Sequence, residues 1–202
     1  MPPLSVAALG WIMVVLGVEP SGSTWDVTVD ATGWALVALG WQRLVRAEAA
    51  FALARTVALL ACLVALARLP SAPDGVDTFV NVLSLMLVAL TLAVGAGALL
   101  VCSRAGGSTT IAGQASFLRW GAIGLLVVEV GAAVGYLVEP SFGDLVVAAG
   151  MFNLAFAAWF TLLQLFSAGR RWAPSPSASM RLLTKRTNRK LRLGRRFTRL
   201  PL

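Results

Sequence analysis

Four stretches of the chain, Ala49–Leu69, Thr78–Val101, Trp120–Val138 and Leu145–Ala168, are apolar almost throughout. A bilayer's hydrocarbon core is ~30 Å thick and takes ~20 apolar residues as a helix, so each stretch has the length of a membrane span. Between them stand proline, glycine and charge: Leu69-Pro70-Ser71-Ala72-Pro73-Asp74-Gly75, Arg104-Ala105-Gly106-Gly107-Ser108 and Glu139-Pro140-Ser141-Phe142-Gly143-Asp144. A backbone in lipid must satisfy its own hydrogen bonds, and within a segment this short only a helix does so. The expected fold is therefore an all-α integral membrane protein.

Two shorter apolar stretches precede these. Pro3–Val18 lacks the basic n-region and small-residue cleavage site of a signal peptide, and reads as a retained span whose shortness a start upstream of Met1 would explain. Ala31–Val45 carries Trp34, Trp41, Arg43 and Arg46, residues suited to a headgroup layer, and would lie along the interface if it does not span. The span reading is preferred, with Trp25–Asp30 supplying the missing length. It makes six transmembrane helices in three hairpins; the interfacial alternative makes five.

Loop charge then sets orientation, because Lys and Arg in short loops stay on the cytoplasmic side. With the amino terminus inside, the outer loops hold Glu19, Asp26, Asp30, Asp74, Asp77, Glu139 and Asp144, with Arg68 the lone base. The inner loops hold Arg43, Arg46, Arg55, Arg104 and Arg119 against Glu48. Both termini are expected in the cytoplasm, and five spans would disturb this partition. The recurrence of Val18-Glu19-Pro20-Ser21 as Val138-Glu139-Pro140-Ser141 suits a chain built from hairpins, although acid and proline are what outer turns use anyway.

Charge also divides the chain lengthwise. Of 17 Lys and Arg, 11 lie in residues 170–202, which contain no acid; residues 1–169 carry six bases and nine acids. The expected organisation is a helical bundle over 1–169, a Pro/Ser linker over 170–179 and a basic cytoplasmic tail over 180–202. In the tail Leu182, Leu193, Phe197 and Leu200 share about a quadrant of a helical wheel, interleaved with Arg181, Lys185, Arg189, Arg192, Arg195, Arg196 and Arg199. Arg186 and Lys190 intrude on the apolar side. Each base near an anionic leaflet contributes about 1 kcal/mol, so anionic lipid head groups are the first expected partner. RNA or the ribosome, a protein partner, and a simple topological anchor are the alternatives.

Few residues carry chemistry. The chain has no histidine, which removes the usual Ser/His and His–metal arrangements, and Gly106-Gly107-Ser108 lacks the Lys-Ser/Thr of a phosphate-binding loop. Cys62 and Cys102 are too far apart in sequence for a zinc motif and read as packing residues. No catalytic residue, metal or cofactor is expected. Glu129 stands out, because a charged group near mid-membrane is costly and faces a bundle interior or water. It reads either as a proton- or cation-binding carboxyl or as a protonated acid bridging helices. Asn153 and Gln164 on the sixth span, Asn81, Ser84 and Thr91 on the fourth, and Arg55 on the third are its candidate neighbours. Gly131-x-x-x-Gly135 and Ala93-x-x-x-Gly97 are candidate packing surfaces.

The segment Asp30-Ala31-Thr32-Gly33-Trp34-Ala35-Leu36-Val37-Ala38-Leu39-Gly40-Trp41-Gln42-Arg43-Leu44, with Phe51 and Ala54-Arg55 following, resembles a pattern in small uncharacterised bacterial membrane proteins. There an acid and a glycine-aromatic pair open a short helix closing on Gly-x-x-x-Leu; the proline that usually precedes the acid is absent here. The resemblance implies a membrane protein of unknown function and nothing sharper. Fifteen arginines against two lysines reflect a GC-rich genome and point to a bacterial, actinobacterial source. The leading functional expectation is a non-enzymatic accessory or scaffold protein of the bacterial plasma membrane, acting through its tail. The runner-up is a small proton- or cation-coupled transporter or channel built on Glu129.

Overall fold

In the computed structural model, residues 1–16, 24–46, 48–67, 76–136, 139 and 142–169 are described. The expected linker, the basic tail from Arg181 to Arg199, and the outer-loop residues Glu19, Arg68 and Asp74 lie outside them. Six helices follow one another: α1 (Pro3–Leu16), α2 (Thr24–Leu44), α3 (Ala50–Ala67), α4 (Val76–Ala105), α5 (Thr109–Tyr136) and α6 (Gly143–Ala168). No strand occurs among the described residues.

Four helices are long and apolar enough to cross a membrane: α3, α4 over Val80–Ala105, α5 and α6. α1 has 14 residues, about 21 Å at 1.5 Å per residue, and falls short of that length. α2 has 21 residues but includes Asp26, Asp30 and Arg43. The bundle turns apolar side chains outward and keeps polar ones inside. Leu59, Leu60, Leu63, Val127, Val134, Met151, Phe152, Leu162 and Phe166 point outward, well exposed, while Glu129, Asn153 and Gln164 are buried. A soluble protein rarely exposes so continuous an apolar surface. Four such helices with this apolar exterior are consistent with a multi-pass membrane protein.

Each helix packs on its chain neighbours, α6 returns to α1, and α4 touches α6 across the interior. Side-chain pairings fix the directions. Gly40 sits by Ala7 and Gly33 by Gly10 and Val14, so α1 and α2 are antiparallel. Gln42 meets Arg55, and the Cys62 thiol donates to the Ala31 carbonyl at 3.3 Å, so α2 and α3 are antiparallel too. Gly150 lies against Leu85 and Phe160 against Gly95, so α4 and α6 run parallel. One end of the bundle thus gathers the start of α1, the α2–α3 and α4–α5 turns and the end of α6. It is called the tail end below.

One sequence alternative and two expectations change. First, Trp34 and Trp41, weighed as headgroup residues, are buried within the bundle, 4% and 0% exposed. Trp11 packs edge-on against Trp34 at 5.1 Å and against Phe160 at 5.9 Å, and Phe160 also meets Trp41 at 6.5 Å. Only glycine at 95 leaves room for Trp41, since a Cβ there would stand 2.8 Å from its ring. Second, Arg119 is not in a loop. α5 begins at Thr109, so Arg119 is ten residues into the helix, exposed, with its side chain passing over Gly97 of α4. The α4–α5 turn is only 106–108, with Ser108 N–H bonded to Ser103 O (2.9 Å), Gly107 N–H to Arg104 O (3.2 Å), and Gly107 at φ +77°. That is a Schellman closure, whose left-handed residue is normally glycine. Third, Gly131 is not a packing surface, because nothing lies within 4 Å of a Cβ built there.

Candidate intramembrane polar site

α5 buries one stripe: Ile111, Ala115, Leu118, Ala122, Glu129 and Ala132. The spacing is that of one helical face, and Glu129 occupies a position otherwise given to small or apolar residues. It is 1% exposed. Asn153 on α6, also 1% exposed, donates through Nδ2 to Glu129 Oε1 and more distantly (3.4 Å) to the Leu85 carbonyl of α4. One carboxamide therefore ties three helices together around the carboxyl. A polar side chain buried in an apolar bundle holds its place through such bonds, each worth about 1 kcal/mol in lipid.

The pairing leaves two oxygens over. Glu129 Oε2 and Asn153 Oδ1 are buried and have no hydrogen-bond partner. Buried polar atoms are rarely left so, and an intramembrane carboxyl with an uncommitted oxygen has capacity for one more ligand.

Of the candidate neighbours, Asn153 is the one brought onto Glu129. Arg55 turns to Gln42, donating to its Oε1 near the tail end. Gln42 neighbours Trp41, which packs at the level of Phe160; Asn153 is seven residues earlier on α6, about 10 Å along the axis. Arg55 is therefore not a charge partner for Glu129. Asn81 is exposed on α4, one turn before Leu85. Ser84 and Thr91 return their hydroxyls to Val80 O (2.8 Å) and Leu87 O (2.5 Å) of their own helix. Gln164 is fully buried, eleven residues beyond Asn153, and neither amide atom has a partner. Cys62 and Cys102 are both free and pack against the core.

Sequence reasoning overlooked Trp11 and Trp41 as interior polar groups. Both indole N–H groups are buried without a partner. Trp41, near the end of α2, suits a headgroup layer until the packing of Phe160 of α6 between it and Trp11 is known. No group of three or more potential metal ligands occurs among the described residues. No family model, curated protein or solved structure matches the chain.

Proposed function

We propose that this is a small, non-enzymatic, proton-coupled transporter or channel of a bacterial plasma membrane, with Glu129 as the proton-binding group. One observation carries the reading: a buried carboxyl whose Oε1 is fixed by Asn153 and whose Oε2 is uncommitted. The fixed oxygen sets the orientation of the group, and the other can gain and lose a proton without dismantling the helix contact. A proton suits the site better than a metal cation. Hard cations such as Ca²⁺ and Mg²⁺ take six or more oxygens, and Glu129 with Asn153 offers two uncommitted ones. In this reading all six helices span, which the packing of α1 and α2 within the same bundle supports. Loop charge puts both termini in the cytoplasm.

The test is proton uptake by the full chain in liposomes under an imposed pH gradient. Uptake that Glu129→Gln abolishes and Asp144→Asn spares is the expected result. Equal uptake by Glu129→Gln and the parent chain would refute the reading.

A scaffold role acting through the tail stands as the second reading, favoured by the concentration of 11 bases and no acid in residues 170–202. Its test compares what co-purifies, in native lipid particles, with the full chain and with a chain ending at Gly169. Loss of anionic lipid, RNA or one specific protein on truncation is its expected outcome, and identical co-purification would refute it.

A further inference from the structure

Seven polar or charged side chains are buried among the described residues: Thr91, Ser103, Glu129, Asn153, Thr161, Gln164 and Ser167. All belong to α4, α5 and α6, and their order along the bundle is not random. Leu85 lies beside Gly150 and Asn153, and Gly95 beside Phe160. Thr91 of α4 therefore falls near the level of Ala157, between Asn153 and Thr161. Gln164 and then Ser167 follow on the buried face of α6, and Ser103 is two residues before the end of α4. From Glu129 the polar positions thus step toward the tail end, covering about 21 Å between Asn153 and Ser167 at 1.5 Å per residue.

In the opposite direction the buried face changes character. Beyond Glu129 on α5 the next buried residue is Ala132, and before Asn153 on α6 stand Gly150 and Ala149. Among the described residues of α5 and α6, the fully buried polar side chains lie at Glu129 and on the tail side of it.

Hydrogen-bonding capacity follows the same line. Both amide atoms of Gln164, the Ser167 hydroxyl and the indole N–H groups of Trp11 and Trp41 are buried with no protein partner. The two tryptophans touch Phe160, one turn before Gln164. Together these groups offer donors and acceptors in close succession, the requirement for holding water, which takes about three hydrogen bonds per buried molecule. Helix-to-helix bonds are the usual use of such groups in lipid, and these make none.

We propose that the buried polar faces of α4 and α6 form a water-bearing lane that connects Glu129 with the tail end of the bundle and with that end alone. The proposal rests on Glu129 being the proton-binding group, and it adds the route by which the proton arrives. Phe160, set between Trp11 and Trp41, is the narrow point of the lane. No second titratable group is needed. α1, which packs on α6, has none; Asp144 of α6 and Arg119 of α5 are exposed, Tyr136 of α5 is 40% exposed, and Arg104 and Cys102 lie at the tail end of α4, Arg104 exposed.

The experiment uses single cysteines in a full chain carrying Cys62→Ala and Cys102→Ala, reconstituted in liposomes. An impermeant thiol reagent is added from one face at a time. Ser167→Cys, Gln164→Cys and Thr161→Cys are expected to react from the tail face only, in falling order. Ala149→Cys and Ala132→Cys should react from neither. Adding Gln164→Leu to Thr161→Cys should slow its labelling about tenfold or more, the rate change of a ~1.4 kcal/mol barrier. Hydroxyl-radical footprinting of the unaltered chain provides a check free of mutation: Trp41 and Phe160 should be modified and the equally buried Phe51 spared. Unreactive 161 and 164 cysteines together with unmodified Trp41 would overturn the lane, as would labelling of Ala149→Cys at the same rate. Neither readout depends on proton uptake. A labelled lane with Glu129→Gln still taking up protons sinks only the proton-binding reading, and intact Glu129-dependent uptake without a labelled lane sinks only the route.

Discussion

The α1–α2 crossing gives the sharpest quantitative test, because two backbones meet there without side chains between them. A Cβ added at Gly10 would stand 2.6 Å from Val37 N and 2.8 Å from Val37 Cγ2, and would run into the Gly33 carbonyl. Ordinary contact begins near 3.4 Å, so Gly10→Ala forces the helices apart by at least 0.8 Å at that point. Backbone cannot rotate out of the way as a side-chain tip can. A gap of ~0.5–1 Å forfeits a quarter to a half of each dispersion contact along the seam, and overpacked sites typically lose ~1–3 kcal/mol. Because the clash is with backbone, the upper part of that range, ~2–3 kcal/mol, applies; alanine recovers up to ~1 kcal/mol through helix propensity, leaving a net loss of ~1–2 kcal/mol. At ~2–4 °C per kcal/mol for a chain of this size, the unfolding midpoint should fall by several degrees. Thermal unfolding in detergent, followed by tryptophan fluorescence, measures it. Gly131→Ala is the control: with nothing within 4 Å, it should match or slightly exceed the parent. Equal stability of Gly10→Ala and the parent, or an equal loss in Gly131→Ala, would refute the close-approach argument.

Three further outcomes are expected. Glu129→Gln keeps an acceptor for Asn153 and should unfold within ~1 kcal/mol of the parent, whereas Asn153→Leu strips the carboxyl of its donor and should lose ~1–3 kcal/mol by the same assay. At Gly107, φ +77° penalises a Cβ by ~1–2 kcal/mol, so Gly107→Val should destabilise by about that much and Gly107→Asn by less. A reporter fused after Gly106 should be active only in its cytoplasmic form, and activity only of a periplasmic form would invert the proposed topology.

Much of this was legible beforehand. Apolar length set the helices, since hydrocarbon admits no other backbone, and α3 and α6 fall within two residues of the expected spans. α4 and α5 instead run past bilayer length, to Ala105 and from Thr109, because the Gly106–Ser108 turn lets them continue as a hairpin. Glu129 announced itself as the lone acid within an apolar run, and Asn153 was among its proposed neighbours. The glycine crossing left a weaker trace. Gly33 and Gly40 are seven apart, hence on one face, but a Gly- and Ala-rich chain offers many such spacings, and Gly131-x-x-x-Gly135 looked better.

What the sequence determined alone is the set of helices and the presence of one acid, Glu129, deep in an apolar run. The tertiary structure decided which faces meet. In water an amphipathic pattern separates inside from outside, but a helix in lipid is apolar on both its buried and its lipid-facing sides. Leu59 and Leu92 read alike, yet one is 46% exposed and the other 1%. Trp41 likewise reads as an interfacial anchor until Gly95 and Phe160 close around it. Helix association in lipid is driven by shape and a few hydrogen bonds, not by apolarity, and shape exists only once the helices are together.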